Sequence, residues 1–181
     1  MPLAQDSADQ PLAAAPNYPG LARRMAAFIY EGVLLFGLVF ISGYLFSALT
    51  QQRHALQGQH ALQGFLFIVL AVYFCWFWTH GGQTVAMKAW HIRVVDAQGQ
   101  ALTQGRALAR YALSWLWFLP ALLFGWLMDL HGAAALFGSM IAGVLIYAAL
   151  ALLHPQRQFL HDALCATRLI TQLPTQRPKK R

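Results

Sequence analysis

Three ionisable side chains stand where charge is costly. Arg24 opens, and Glu31 interrupts, the apolar run "ARRMAAFIYEGVLLFG", and Asp162 falls in "HPQRQFLHDALCATRLI" near the C-terminus. Glu31 lies six residues past Met25, about 9 Å into an upright helix. An ionised acid at a bilayer centre costs roughly 2.5–3.5 kcal/mol on insertion scales. Glutamate does not snorkel as lysine does, so Glu31 must be protonated, paired or in contact with water inside a bundle. Arg24 and Glu31 are seven residues apart. They share a helix face about 10 Å apart along the axis, too far for an i,i+4 pair. Each therefore needs a partner on another element. Asp162 is the only acid after Asp129, so an Arg24–Asp162 ion pair is one expectation, with Arg157 and Arg168 as the other cations for either acid. Such groups do one of two things: exchange a proton for a cation, or hold helices together.

The chain that positions them is not built for water. Apolar residues make up 58% of its 181 and charged residues only 10%, against roughly 25% charged in soluble proteins. The sequence predicts an all-α, polytopic membrane bundle of four transmembrane helices over roughly 25–49, 61–79, 108–128 and 133–153. Pro120 is expected to kink the third by removing a backbone donor. The third and fourth are joined only by the residues around "DLHG" and must form an antiparallel hairpin. In the fourth, Ala135, Ser139 and Gly143 recur every four residues. That stripe permits close approach of a helix of this chain or of a second copy.

Orientation follows from the cations. Of the thirteen Lys and Arg, twelve flank the chain ends or the loop between spans two and three, and only Arg53 lies in the remaining connections. The positive-inside rule then puts both termini and that loop in the cytoplasm. The net charge of +7 does not point to nucleic acid, because the basic residues form no continuous stripe. It points to the anionic headgroups of a bilayer. Trp76, Trp78, Trp90 and Trp126 read as interfacial anchors. Residues 1–20 have neither the basic start nor the apolar core of a signal peptide and read as a disordered cytoplasmic tail. Residues 172–181 read as a basic disordered tail, leaving 21–171 as one transmembrane domain. Cys75 inside a span and Cys165 beside a cytoplasmic segment argue against a structural disulfide.

The loop "HGGQTVAMKAWHIRVVDAQGQALTQGRALARY" is too patterned for a plain connector. Gly81 and Gly82 break span two, and Thr84 can cap a short helix carrying Lys88 and Trp90. The stretch "IRVVDAQGQALT" reads as a small β-hairpin about an Asp-x-x-Gly turn, and Thr103 caps the entry to span three. After Pro155 the C-terminal piece is amphipathic, with Phe159, Leu160 and Leu164 expected on its apolar side. The loop is therefore expected to be ordered and packed under the bundle.

Together, an arginine seven residues before a first-helix acid, the "GGQTVAMK…IRVVDAQGQALT…RALARY" loop and the closing "LHDALCATRLI" resemble the RDD family of bacterial membrane proteins over roughly residues 18–171. The resemblance places the family's arginine on Arg24, its first aspartate on Glu31 and its second on Asp162. The Gln-Thr-x-x-x-Lys element falls on Gln83, Thr84 and Lys88. Glu31 keeps the charge on a longer stem, and Ala86 and Ala166 stand where the family commonly has glycine. The resemblance implies a multi-pass protein of the bacterial inner membrane and, as the role suggested for such proteins, transport of H⁺ or a monovalent cation, with a homo-oligomer to enlarge so thin a carrier.

Two functions are therefore carried forward. One is a small transporter or cation/proton exchanger working through Glu31, with Arg24 and Asp162 as partners. The other is a scaffold, sensor or assembly protein in which the three charges form a clasp. Enzymatic function is not expected. His161 adjoins Asp162, yet neighbouring helical residues diverge by roughly 100°, and no nucleophile set or phosphate loop appears. No cofactor or metal is expected either, since His54, His60 and His131 lack compact ligand spacing.

Overall fold

The computed structural model of the chain describes residues 18–50, 58–130, 132–153 and 158–173. Of the expected tails over 1–20 and 172–181, residues 1–17 and 174–181 lie outside the described residues, as do Arg53, His54, His131, Pro155 and Arg157. Helix α1 (Leu21–Leu49) runs for 29 residues, about 43 Å, and its three charged residues fall in the first three turns. Helix α2 (Gln59–Thr79) returns antiparallel and stops at Gly81 and Gly82. Gly82 adopts φ +71, its N–H bonds Phe77 O (3.0 Å), and its carbonyl accepts from Val94 N (2.8 Å). A Cβ there would run into the Val94 carbonyl oxygen, so the turn requires glycine.

The third span is broken rather than bent at its proline. Helix α4 (Gln104–Ser114) passes into a 3₁₀ turn at Trp115–Trp117 before α5 (Leu119–Leu127) begins. Pro120 sits in the first turn of α5, where its missing N–H would have had no helical partner. Helix α6 (Ala133–Leu150) completes the hairpin. A Cβ on Gly143 would lie 2.7 Å from that of Ala121, and Leu136 and Ser139 pack over Gly125. The small-residue stripe thus brings α5 and α6 together within the chain. Four helical stretches, Leu21–Leu49, Gln59–Thr79, Gln104–Leu127 and Ala133–Leu150, are long and apolar enough to cross a membrane.

The connecting loop and the C-terminal segment form one cap. Helix α3 (Val85–Ala89), strand β1 (Ile92–Asp96), helix α7 (Leu160–Leu164) and strand β2 (Thr167–Thr171) compose it. The small antiparallel sheet pairs β1 with β2, Ile92 opposite Thr171 and Asp96 opposite Thr167, instead of folding the loop on itself. The expected turn does form: Asp96 Oδ1 accepts from the N–H of Gln98 (2.9 Å) and of Gln100 (2.8 Å). The stretch after it offers only Leu102 as a large apolar residue and runs, without forming a strand, to Thr103, which caps the first turn of α4. Ile92, Val94 and Val95 are all buried, and Leu169 of β2 is buried with them.

The C-terminal helix is oriented otherwise than its pattern suggested. Phe159 is buried, but Leu160 and Leu164 face outward. Ala166, at φ +52, turns α7 into β2 through the left-handed region that glycine favours. Trp117 of the 3₁₀ turn joins cap to bundle: it stacks on Phe28 (4.8 Å, 12°) and meets Tyr147 (4.8 Å) and Phe159 (4.9 Å). Every Lys and Arg among the described residues lies in the cap or at a helix end that meets it.

Candidate functional site

Both acids expected to matter are buried, and each is held by residues from other segments. Glu31 is 8% exposed. Its Oε1 accepts from the Tyr73 hydroxyl of α2 (2.7 Å), and its Oε2 accepts from the Thr84 hydroxyl. Thr84 is also the N-cap of α3, where its oxygen accepts from Met87 N (3.2 Å). One hydroxyl therefore caps the loop helix and fastens it to α1. The Gln83 side chain donates to Ile92 O (2.7 Å), tying the same turn to β1. Lys88, the third residue of the motif, is exposed.

Asp162 is fully buried and pairs with Arg110, not with Arg24. Arg110 Nε and Nη2 lie 2.9 and 2.8 Å from Asp162 Oδ1, and Thr167 donates to the same oxygen at 3.1 Å. Asp162 Oδ2 is buried without a hydrogen bond among the described residues. Burial alone would raise this carboxyl, but the Arg110 guanidinium reverses the effect and holds it below its ordinary value. The guanidinium lies 4.2 Å over the ring of Trp78. That tryptophan, expected at the membrane interface, is instead 4% exposed.

His161 approaches its neighbour after all, with Nε2 3.7 Å from Asp162 Oδ1, too long for a hydrogen bond. Burial drives its pKa down to about 4, against the opposing pull of Asp162, so the imidazole is neutral at neutral pH. The Tyr147 hydroxyl accepts from the His161 backbone N–H (3.0 Å) and stands 3.0 Å from Nδ1. A neutral ring with Nδ1 as acceptor and the proton on Nε2 satisfies that network.

Arg24 serves a third place. Its Nε donates to Pro19 O (2.8 Å), and its guanidinium lies 5.5 Å from the Phe159 ring centre. The Arg24, Glu31 and Asp162 of the sequence reading thus anchor three separate contacts and not one ion-pair network. Sequence reasoning missed Tyr73, Arg23 and Arg110. Arg23 donates to Trp90 O (2.6 Å) and His91 O (3.3 Å), so a residue read as a topology signal also staples α1 to the cap. Arg110 had a usable signal: with Ala107, Tyr111 and Ser114 it occupies an i, i+3, i+4 face of α4, the face turned inward.

Between α1 and the Ser114–Phe118 turn lies a cavity of about 350 Å³. Arg24, Glu31, Arg110 and His161 reach its wall near the cap, while Leu35, Leu70 and Phe118 line it further in. Among the described residues no three His, Cys, Asp or Glu gather as a metal would require.

No curated protein and no solved structure matched this chain. The RDD family model matches residues 18–166, a stretch that contains Arg24, Glu31, the loop motif and Asp162, and the chain accordingly belongs to the RDD family of membrane proteins.

Proposed function

We propose that this protein is a non-catalytic membrane scaffold whose buried charges clasp an ordered cap onto a four-span bundle. One observation carries the reading: each buried acid is bonded to side chains of other segments, Glu31 to Tyr73 and Thr84 and Asp162 to Arg110 and Thr167. The distribution of Lys and Arg supports a cytoplasmic cap with both termini on that side, touching anionic headgroups, and the family resemblance supports a bacterial inner membrane. A homo-oligomer is compatible with the exposed apolar helix faces.

A second reading has its own support. Glu31 lines the cavity, where a carboxylate can alternate between a proton and a monovalent cation. Glu31→Gln separates the two readings. In proteoliposomes loaded with a pH-sensitive dye, exchange predicts Na⁺- or K⁺-driven proton flux that Glu31→Gln abolishes. The scaffold predicts flux no greater than that of empty liposomes, and a Glu31→Gln protein that melts lower in detergent. Glu31-dependent flux defeats the scaffold reading.

A further inference from the structure

We propose that α7 is sunk into the leaflet on the cap side, with Leu160, Ala163 and Leu164 against acyl chains and the Arg110–Asp162 pair beneath the headgroups. The helix is inside out for water. Its exposed residues are Leu160, Ala163 and Leu164, and its two polar residues, His161 and Asp162, are 3% and 0% exposed. A surface helix in water turns its polar side outward. An outer face with no polar group on it marks contact with a membrane or with another apolar surface.

Helix lengths give the depth. Asp129 is exposed at the turn between α5 and α6, and a charged side chain there sets that turn at or beyond the far edge of the hydrocarbon. From Gly132 to Tyr147 is fifteen residues, about 22 Å along α6, and tilt only shortens the depth this covers. The hydrocarbon core is about 30 Å thick. Tyr147, whose hydroxyl accepts from the His161 N–H, therefore stops roughly 8 Å short of the cap-side edge. Helix α4 gives a similar level from the other side. Gln104 is exposed, and Arg110 lies six residues on, about 9 Å further along the helix. Beyond Arg106 the exposed residues of α4 are Leu108, Ala109 and Ala112. The longer α1, at 29 residues, runs past the core and carries Arg23 and Arg24 out beside the cap.

Continuity identifies the occupant as lipid. Leu145, Ile146, Leu150, Leu152 and Leu153 are exposed along α6 and just past its end, on a helix long and apolar enough to cross the membrane. Helix α7 packs on that end through Tyr147, so its leucines extend the same apolar surface. The polar surface of the cap lies elsewhere, at Gln98, Gln100, Thr103 and Gln104.

Spin-label accessibility in the full-length protein in liposomes tests this. With Cys75 and Cys165 replaced by alanine, a nitroxide at Leu164→Cys is compared with one at Leu145→Cys, on the outer face of α6, and one at Gln98→Cys, in the polar turn. Collision with oxygen should exceed collision with a water-soluble nickel chelate severalfold at 164 and at 145, and the order should reverse at 98. Chelate access at 164 equal to that at 98 would put α7 in water and overturn the proposal. Low access to both reagents, with dipolar broadening between labels, would put a second copy on this face and overturn it equally. A second measurement needs no variant: a phospholipid carrying a diazirine at mid-chain should label the peptide containing Leu160 and Leu164. Labelling of that peptide from a headgroup diazirine alone would also defeat the assignment.

Discussion

The Arg110–Asp162 pair gives the sharpest energetic test. The two side chains are 7% and 0% exposed, so removing one leaves the other in a poorly solvated site. Breaking such a pair costs about 3–5 kcal/mol, and the two single variants need not cost the same. In Asp162→Asn the guanidinium keeps the face of Trp78 at 4.2 Å, an interaction worth about 0.5–2 kcal/mol, so a loss of about 3 kcal/mol is expected. In Arg110→Met the carboxylate loses two of the three donors on Oδ1 and responds by taking a proton. Protonating a carboxyl of ordinary pKa at pH 7 costs about 4 kcal/mol, which bounds the charge penalty. That penalty should shrink by about 1.4 kcal/mol per unit as pH falls. The double variant removes both charges, so the coupling should be about 2–3 kcal/mol. The assay is reversible unfolding in mixed detergent micelles, followed by tryptophan fluorescence, with Trp78 as a reporter against Arg110. Additivity within about 0.5 kcal/mol, or a pH-independent Arg110→Met, would refute the idea that this pair fastens α7 to α4.

Two other perturbations follow from the same cap. His161 titrates below its unfolded value, so between pH 6.5 and about 4 the unfolded chain binds the extra proton and stability falls as the solution is acidified. From pH 7.5 to pH 5 the loss is about 2 kcal/mol, measurable as a falling melting temperature, and His161→Gln should flatten that slope; an unchanged slope in the variant places the titrating group elsewhere. Gly82→Ala must adopt φ +71 and press its methyl on Val94 O, costing about 2 kcal/mol or more, and trypsin cutting at Arg93 should become faster, whereas wild-type cleavage rates would show that the turn tolerates the change.

What the sequence disclosed was governed by local physics. Span lengths, the glycine stop after α2 and the caps at Thr84 and Thr103 follow from apolar runs and neighbouring backbone donors, and the structure contains them. Partners separated along the chain were not disclosed. Glu31 meets Tyr73 across 42 residues and Thr84 across 53, and Arg110 meets Asp162 across 52. Nothing in a single sequence links such positions, and conspicuous charge alone joins Arg24 to Asp162 where the fold joins Arg110 to it. The hairpin expectation erred for a related reason. A turn is local, but the strand that covers Ile92, Val94 and Val95 is chosen by which apolar segment reaches them, and that segment was Thr167–Thr171. Leu160 and Leu164 misled because a five-residue helix in a membrane protein can turn apolar side chains toward lipid as readily as toward a core.

The placement of Thr84 constrains either function. Its hydroxyl accepts from Met87 N and donates to Glu31, and the adjacent Gln83 holds β1, which in turn holds β2 and so the segment carrying Asp162. A cation that displaced the Thr84 hydroxyl from Glu31 would therefore pull on a chain of bonds running from the α3 cap through the sheet to the Arg110 pair. For an exchanger, that chain makes every cycle of Glu31 a disturbance of the whole cap. For a scaffold, it makes the cap a single body whose surface persists only while Glu31 stays bonded. The Glu31 side chain is long enough for one carboxylate to meet hydroxyls on both α2 and the loop. The length of this side chain is thus part of how the cap is seated, whichever function the protein performs.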